Sequence, residues 1–446
     1  MMSFRVLLFL TVIFIQTCTV YSTFIVDASS LFDSKGSDPI ARLSAAEGID
    51  QALQHYGLVI LTGHNISDSS MTESLSASRE LFDLSLSAKK LSAISNDAQS
   101  FGRGYLGFGD ESGVSSTFEP KEGYSYGSPE ASKPPENLLN IANKWPMGLS
   151  SHSKDTLQRL YQQKISVSKV VVKALSSRFM CDDENSHTLQ SIARGGDKIS
   201  LMRMFHYFHQ DSPIVQEKLR STTTATQAFS ADTKAVRNEI SMLGSSPHTD
   251  WGFLTVILAD NVGGLQFIPR GGSIAKGDWV DVPHIPGSLI INGGDYLSLI
   301  SRGVYHSPIH RVLTPGSNKP TSANSREGSN AGSNAGSNAG SNTGVSSGSS
   351  MTTDRYSFVL FYYPSYESPV RDDALGHCTH ISVQEKYDGM NKVESEVNKE
   401  GNTPTSAHIE QKAEEISYNT LLRLDGDKPD LFGDYVVRKW QGVYRK

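Results

Sequence analysis

A nine-residue stretch near the middle of the chain, Pro-His-Thr-Asp-Trp-Gly-Phe-Leu-Thr at residues 247–255, constrains the fold more than any other segment. Successive side chains of an extended strand point to opposite faces, so His248 and Asp250 are expected to face the same side. One imidazole and one carboxylate are two of the three ligands in the facial triad that binds non-haem Fe(II), which also needs a second histidine. That histidine must come from a distant strand, so the fold has to bring two separate segments together.

Four downstream residues are candidates to complete the site. His306 and His310 share strand parity, so each is a candidate for the missing ligand. Arg355 and Ser357 also share parity and place a cation and a hydroxyl on one strand face. This is the combination that an organic acid requires. The residues alone leave the choice between the two histidines open.

The segments around these positions follow one another in a set order. They are His248–Leu254, Gly263–Gln266, Gly277–Val280, Pro286-Gly287, Asn292–Asp295 and Ser307–Val312. This series resembles the catalytic core of the Fe(II)/2-oxoglutarate-dependent dioxygenases, in the branch that includes isopenicillin N synthase. The resemblance implies an α+β fold: a double-stranded β-helix (jelly-roll) core with flanking helices and an N-terminal α/β region. Apolar alternation over residues 254–258 and 288–291 suits such antiparallel strands.

The resemblance also implies a metal site. The Ser-x-x-His-Arg-Val pattern of the family fits Ser307 to Val312, which favours His310 over His306. His248, Asp250 and His310 are then expected to hold Fe(II), leaving open positions for 2-oxoglutarate and O2.

The co-substrate contacts follow from the same resemblance. Arg355 is expected to bind the distal carboxylate of 2-oxoglutarate, with Ser357 and Tyr207 adding polar contacts. Phe205 occupies a position where the family carries Asn, a departure that removes polarity from the pocket or requires it elsewhere.

The activity that the resemblance implies is oxidation of a small organic substrate with O2, favouring hydroxylation, with release of succinate and CO2. Two alternatives remain open at this point. Isopenicillin N synthase uses its Arg-x-Ser pair on its substrate without 2-oxoglutarate, so an oxidase of that type fits the same residues. A non-catalytic secreted binding protein on a jelly-roll scaffold is the alternative outside enzymes, because fold alone decides no function.

Charge argues against one class of partner. The formal net charge is −6, the pI is about 6.1, and no strongly basic domain occurs, which argues against nucleic acid. The expected partner is a small-molecule substrate, and the oligomeric state is left open.

The N-terminus resembles a secretory signal peptide. Arg5 precedes an apolar run over residues 6–15, and Ser22 offers a cleavage position, so residues 1–22 are expected to be removed. The run is short for a membrane span, which needs about 20 residues. Secretion or residence in the secretory pathway is predicted, with an organelle reached by that route or a retained signal anchor as alternatives. Cys181 and Cys378 would remain and could pair in an oxidising compartment.

The sequence divides into regions after the signal peptide. Residues 23–145 are predicted as the N-terminal dioxygenase region and 146–446 as the jelly-roll catalytic domain. Within the latter, residues 315–352 carry a repeated Gly-Ser-Asn-Ala unit without apolar side chains to bury, so we expect a disordered insertion. Without it, His310 and Arg355 would be about ten residues apart, the separation of two hairpin arms.

Local patterns predict the principal elements. Helices are predicted at residues 39–56, 69–91, 154–179 and 430–444, and strands at residues 57–64, 201–207 and 355–364.

Overall fold

The computed structural model describes residues 24–33, 36, 38–94, 101–111, 117–130, 136–181, 188–227, 241–317, 353–376, 378–381 and 430–444. The predicted signal peptide and residues 318–352 of the predicted insertion lie outside the described residues.

The described residues contain α-helices and β-strands in an interleaved order. The helices are α1 (Ser29–Phe32), α2 (Pro39–His55), α3 (Asp68–Phe82), α4 (Leu86–Leu91), α5 (Ser151–Ser176), α6 (Leu189–Ala193), α7 (Pro213–Gln227), α8 (Asp295–Ile300) and α9 (Phe432–Tyr444). The strands are β1 (Ile25–Asp27), β2 (Leu58–Thr62), β3 (Gly104–Leu106), β4 (Thr117–Phe118), β5 (Lys121–Gly127), β6 (Phe179–Met180), β7 (Leu201–Tyr207), β8 (Ser241–Met242), β9 (Ser245–His248), β10 (Leu254–Ala259), β11 (Leu265–Phe267), β12 (Val280–Asp281), β13 (Leu289–Gly293), β14 (His310–Val312), β15 (Arg355–Tyr362) and β16 (Thr379–His380).

Two sheets form the core. The larger has eight strands in the order β1-β2-β13-β10-β15-β7-β5-β3, and the smaller has four in the order β12-β11-β14-β9. Side chains from both sheets line one cavity, so the sheets face each other across it. Strands of the predicted N-terminal region sit at both edges of the larger sheet, so this region and the catalytic core share one sheet.

A long helix covers the outer face of the larger sheet. α5 begins at an N-cap, Ser150, whose Oγ accepts a hydrogen bond from the backbone N–H of Ser153. Its apolar positions recur at helical spacing and are buried, among them Leu157, Leu160 and Ile165. Removal of this stripe from water stabilises the helix against the sheet by about 2 kcal/mol for each large side chain. None of the helices in the described parts of the chain is both long and apolar enough to cross a bilayer.

Most predicted elements are present, but two predictions were wrong. The predicted helix over 69–91 is two helices, because Ser85 acts as a new N-cap and accepts from the backbone of Ala88. His310 and Arg355 do not lie on two arms of a hairpin: β14 pairs with β9 and β11, whereas β15 pairs with β7 and β10 in the other sheet.

A buried ionic contact fixes the start of β15. His206 lies between two carboxylates, with Nδ1 2.9 Å from Glu122 Oε1 and Nε2 2.8 Å from Asp354 Oδ2. Its ring also stacks on Tyr356 with centroids 4.6 Å apart. Burial alone would lower the pKa of His206, but the hydrogen bonds and charges of Asp354 and Glu122 raise it. Asp354 directly precedes Arg355, so this contact helps to position the arginine.

The stability of the fold should therefore fall with rising pH. Because the folded-state pKa of His206 is raised, its stabilisation is complete below the unfolded value of about 6.5 and is lost as pH rises through the folded value. Thermal unfolding measured between about pH 6 and pH 9 should show a steeper loss of stability in the native protein than in a His206→Asn variant. Parallel pH profiles would contradict this assignment.

Candidate metal centre and its pocket

Three predicted ligands meet at one end of the smaller sheet. His248 ends β9 and His310 begins β14, and the two residues are directly paired in register. Asp250 follows the end of β9 in a segment without regular secondary structure, so the position of its carboxylate relative to the two histidines depends on the chain after the strand. Asp250 Oδ1 lies 3.8 Å from Nε2 of each histidine. One ligand atom from each residue lies within 4.8 Å of the others, a spacing that can accommodate a metal ion.

Backbone carbonyls orient both imidazoles. Nδ1 of His248 lies 2.7 Å from the carbonyl oxygen of Ser246, and Nδ1 of His310 lies 3.1 Å from that of Pro308. A carbonyl oxygen can only accept, so Nδ1 must donate and Nε2 is left with a lone pair in the neutral ring. Both lone pairs are thereby available at the side where Asp250 lies. This is the usual arrangement for histidine ligands.

The electrostatics keep His248 and Asp250 in the forms that bind a metal. Enclosure within the protein, followed by the neighbouring imidazole of His310, lowers the pKa of His248 to about 4. Burial alone would raise the pKa of Asp250, but His310 and His248 lower it. A neutral imidazole and an ionised carboxylate are the forms that bind a divalent cation.

Asn292 on β13 holds the carboxylate of Asp250. Its Nδ2 donates to Asp250 Oδ2 at 2.8 Å, and it is buried. In the sequence, Asn292 belongs to the series of segments that resembles the family, but nothing in that pattern indicates this role.

Replacing Asn292 with alanine should weaken Fe(II) binding about 10- to 100-fold, the usual cost of losing a group that orients a metal ligand. Metal titration followed by thermal unfolding checks both affinity and folding. An Asn143→Ala variant is the matched control, because the amide of Asn143 bonds only the backbone of Gly127 among the contacts described and touches no predicted ligand. Unchanged iron affinity in Asn292→Ala would contradict a ligand role for Asp250 Oδ1 oriented in this way.

The rival histidine lies elsewhere. His306 donates its backbone N–H to the carbonyl of Leu53 at 3.1 Å, and its side chain is close to Gly57. Burial, followed by the charge of Arg270, lowers the pKa of His306 to about 4. Within the described part of the chain, the group of His, Cys, Asp and Glu side chains that can hold a metal contains His310 and not His306.

The predicted co-substrate residues line the same cavity as the three ligands. Arg355 is 2% exposed, and its Nε and Nη1 have no hydrogen-bond partner among the described residues; the same is true of the buried Oγ of Ser357. Tyr207 pairs with Arg355 in register, and its ring centroid lies 4.9 Å from the guanidinium carbon. The tyrosine thus supports the arginine through its ring, while a hydroxyl contact to the co-substrate stays a prediction.

These unpartnered atoms fit an anionic ligand. Leaving a buried polar group without a hydrogen bond costs about 1–3 kcal/mol. A carboxylate in the cavity would satisfy the guanidinium fork and the hydroxyl together. The cavity has a volume of about 360 Å³, enough for a small dicarboxylate beside a small substrate.

Arg311, the residue after His310, is held by two contacts: its Nε donates to Gln266, and its guanidinium stacks on Trp279. Phe205, the departure from the family pattern, lies against the cations of Lys121 and Arg203. Arg203 carries no signal in the sequence that marks it as a cavity residue.

Comparison with known proteins decides the family. The sequence model of the 2OG-Fe(II) oxygenase superfamily matches residues 226–327, and that of the N-terminal region of non-haem dioxygenases in morphine synthesis matches residues 25–148. The chain belongs to the Fe(II)/2-oxoglutarate-dependent oxygenases. Its cofactor is Fe(II), and its co-substrates are 2-oxoglutarate and O2. The first match contains His248, Asp250 and His310, whereas Arg355 and Ser357 lie beyond its end.

Relatives of the oxygenase extend over most of its length. Two fungal proteins, each described as a 2-oxoglutarate-Fe(II) type oxidoreductase, are 27% identical over 285 residues. The match covers 62% of this chain, with 74% of the Aspergillus fumigatus protein and 72% of the Emericella nidulans protein. A full-length Neurospora crassa protein, crystallised in complex with alpha-KG, superimposes with a TM-score of 0.57 and 16% identity. That superposition covers 94% of this chain and 95% of the Neurospora protein, and it confirms the predicted jelly-roll fold.

Proposed function

We propose that this oxygenase hydroxylates a small organic substrate, with His248, Asp250 and His310 as the Fe(II) ligands. Arg355, Ser357 and Tyr207 form the 2-oxoglutarate site. The observation that carries the proposal is the pair of buried, unpartnered polar groups on β15, Arg355 and Ser357, in the same cavity as the three ligands. A structural arginine at that depth would have an internal partner for those atoms.

When bound, Fe(II) and 2-oxoglutarate would supply the oxidising chemistry, by which one oxygen atom of O2 would enter a substrate C–H bond and the other would enter succinate with release of CO2. The residues of the chain contribute geometry. His248 and His310 present Nε2 because their Nδ1 atoms are held by carbonyls. Asp250 presents Oδ1 because Asn292 holds Oδ2. Three ligands leave positions open for the co-substrate and O2.

Arg355 and Ser357 set the direction of the co-substrate. A guanidinium fork binds a carboxylate in its own plane, so the distal end of 2-oxoglutarate is fixed on β15. Its other end then points toward the smaller sheet, where the predicted ligands lie. Tyr207 restricts the guanidinium from one face.

Succinate formation tests this proposal. Purified protein supplied with Fe(II), ascorbate, 2-oxoglutarate and O2 should form succinate slowly without a substrate and faster with a good one. A Tyr207→Phe variant keeps the ring beneath Arg355 and should retain most of this activity, whereas Ser357→Ala should raise the KM for 2-oxoglutarate. Iron-loaded protein that consumes O2 with a substrate but forms no succinate would overturn the proposal and favour an oxidase of the isopenicillin N synthase type.

We propose the same regional division that the sequence predicts, 23–145 and 146–446. The match of the N-terminal dioxygenase region to residues 25–148 supports the boundary. Because strands of the first region lie at both edges of the larger sheet, we expect the regions to unfold together. We also propose that residues 315–352 are a low-complexity insertion in the sequence of the catalytic domain.

We propose that residues 1–22 are a signal peptide and that the enzyme enters the secretory pathway. Two observations support this compartment. Cys181 and Cys378 form a disulfide that joins the segments carrying β6 and β16, and disulfides persist mainly in oxidising compartments. Asn65 of the sequon Asn65-Ile66-Ser67 is exposed on the loop that leads into α3.

Asn65 should therefore carry an N-linked glycan when the chain is made in secretory cells. Treatment with an N-glycosidase should increase gel mobility of the native protein. It should leave an Asn65→Asp variant unchanged. Aspartate suits this position because the backbone φ is +62°, a region that Asn and Asp tolerate better than other side chains. A Ser67→Thr variant preserves the sequon and is the positive control. No shift together with reduced cysteines would argue against the secretory route.

A further inference from the structure

The cavity is lined by four charged side chains that have no role in the metal or co-substrate sites. Each of them is less exposed than Asp110, which also lines the cavity. They are Glu111, Glu119, Lys121 and Arg203. Burying two ion pairs in a pocket is costly in desolvation unless their geometry is very favourable, so their presence beside a reaction site calls for an explanation. Arg203 and Lys121 lie on adjacent strands, β7 and β5, and both face the cavity.

The guanidinium of Arg203 is held rigidly. Its carbon lies 4.8 Å from the ring centroid of Phe205 and 5.1 Å from that of Trp440. Its Nε is 3.2 Å from Ser125 Oγ, on the strand paired with it. Two aromatic contacts and a hydrogen bond to a paired strand fix the plane of the guanidinium, and with it the direction of its remaining fork.

Glu111 occupies that fork. Its oxygens lie 2.7 Å from Nη1 and 3.2 Å from Nη2 of Arg203, and Oε2 lies 3.6 Å from the ammonium of Lys121. Burial would raise the pKa of Glu111, but Arg203 and then Lys121 lower it to about 2. The site therefore holds a carboxylate anion through a two-point contact.

The two anions differ in how they are held. Glu119 has 2% side-chain exposure, lies 2.7 Å from Lys121, and accepts from the backbone N–H of Ser246 at 2.8 Å. It is thereby tied to β9, the strand that ends in His248. Glu111 has 18% side-chain exposure and lies outside any strand or helix. Glu119 is a fixed partner of Lys121, whereas Glu111 reaches the cations from a loop.

We propose that Arg203, assisted by Lys121, is the binding site for a carboxylate of the substrate, and that Glu111 occupies this site until the substrate displaces it. This inference rests on the proposed function, since it assigns the substrate class of the same cavity. Phe205 and Trp440 lie against Arg203, and Trp251, Ile257 and Phe361 are further large apolar side chains that line the cavity. The substrate is therefore a monocarboxylic acid with an apolar, aromatic or aliphatic body.

Displacement of Glu111 exchanges one carboxylate for another, so the buried cations never lose their partner. This keeps the cost of substrate entry low, because leaving a buried charge unpaired is strongly destabilising. The site also discriminates against uncharged analogues, since an amide cannot replace the ionic contact between Glu111 and Arg203. We therefore predict that the protein binds an acid more tightly than the matching amide. This preference depends on Arg203, and competition from Glu111 makes it smaller in the native protein.

A matched pair of probes tests the inference: 3-phenylpropionate and its amide, which share the ring and chain. Binding is followed anaerobically by quenching of tryptophan fluorescence, because Trp251 and Trp440 line the cavity. Saturating Fe(II) and 2-oxoglutarate are present so that neither probe can bind at Arg355. The acid should bind the native protein at least about tenfold more tightly than the amide, the ratio expected for one charge-assisted contact.

Three variants separate the roles. Glu111→Gln should tighten binding of the acid severalfold and leave the amide unchanged. Arg203→Gln should remove the preference for the acid, and Arg203→Lys should restore part of it. Equal affinity for acid and amide in native protein, including no binding of either, would overturn the inference, as would weaker acid binding in Glu111→Gln. As a control, the metal-to-ligand charge-transfer absorption that 2-oxoglutarate gives when bound to Fe(II) should be unchanged in these three variants. Its absence from native protein would instead contradict the proposed co-substrate site.

Discussion

Replacing His310 with alanine should abolish Fe(II) binding and all succinate formation. In the proposed metal site His310 supplies one of three ligand atoms, and its Nε2 lies 3.8 Å from Asp250 Oδ1. Loss of a group that only orients a ligand costs about 10- to 100-fold in affinity, so loss of a ligand should exceed that range. Metal content after anaerobic loading and desalting measures the effect directly.

His306→Ala is the matched control, because His306 has the same strand parity and is partly buried. It should retain iron and activity, with a modest loss of thermal stability from the missing ring. If only the His306 variant loses iron, the ligand assignment is wrong. A second variant, His310→Gln, retains size and polarity and distinguishes loss of a ligand from loss of folding.

Replacing Arg355 with alanine should raise the KM for 2-oxoglutarate by about 100-fold, since truncating one partner of a buried charge pair costs about 2–5 kcal/mol. Fe(II) binding should be unchanged, because the three predicted ligands lie on other segments. Arg355→Lys keeps the charge but not the two-pronged guanidinium, so its KM for 2-oxoglutarate should lie between those of the native protein and Arg355→Ala. Initial rates of succinate formation over a range of 2-oxoglutarate concentrations provide the measurement.

The Ser357→Ala variant is the reference for the effect of Arg355→Ala on KM. Ser357→Ala removes one hydroxyl contact to an anion and should raise the KM about tenfold. An Arg355→Ala effect no larger than the Ser357→Ala effect would mean that the guanidinium does not bind the co-substrate. The proposed direction of 2-oxoglutarate in the cavity would then be wrong.

The sequence predicted those parts of the site that local pattern and order along the chain determine. His248 and Asp250 were found from their spacing, although Asp250 lies just after β9 rather than on it. The two side chains still converge, since Asp250 Oδ1 lies 3.8 Å from His248 Nε2. The helix over Pro39–His55 and the strand Leu201–Tyr207 were recovered from their apolar spacing, a strong local signal.

Pairings between distant segments were not predictable in the same way. His310 and Arg355 were expected on two arms of a hairpin, yet they face the cavity from different sheets. Sequence separation says nothing about which of two apolar sheets a strand joins. The contact between Arg203 and Glu111 is similar, since it joins residues from separate regions and leaves no periodic signal.

Anaerobic titration of the Fe(II)-loaded protein with 2-oxoglutarate, followed by visible absorption, tests the central claim most directly. We propose that Fe(II) and 2-oxoglutarate bind together in the cavity between the two sheets, held by His248, Asp250, His310 and Arg355. We predict a weak metal-to-ligand charge-transfer band that saturates with 2-oxoglutarate and is absent from Arg355→Ala at the same concentrations. Bound iron without such a band in the native protein would contradict the account.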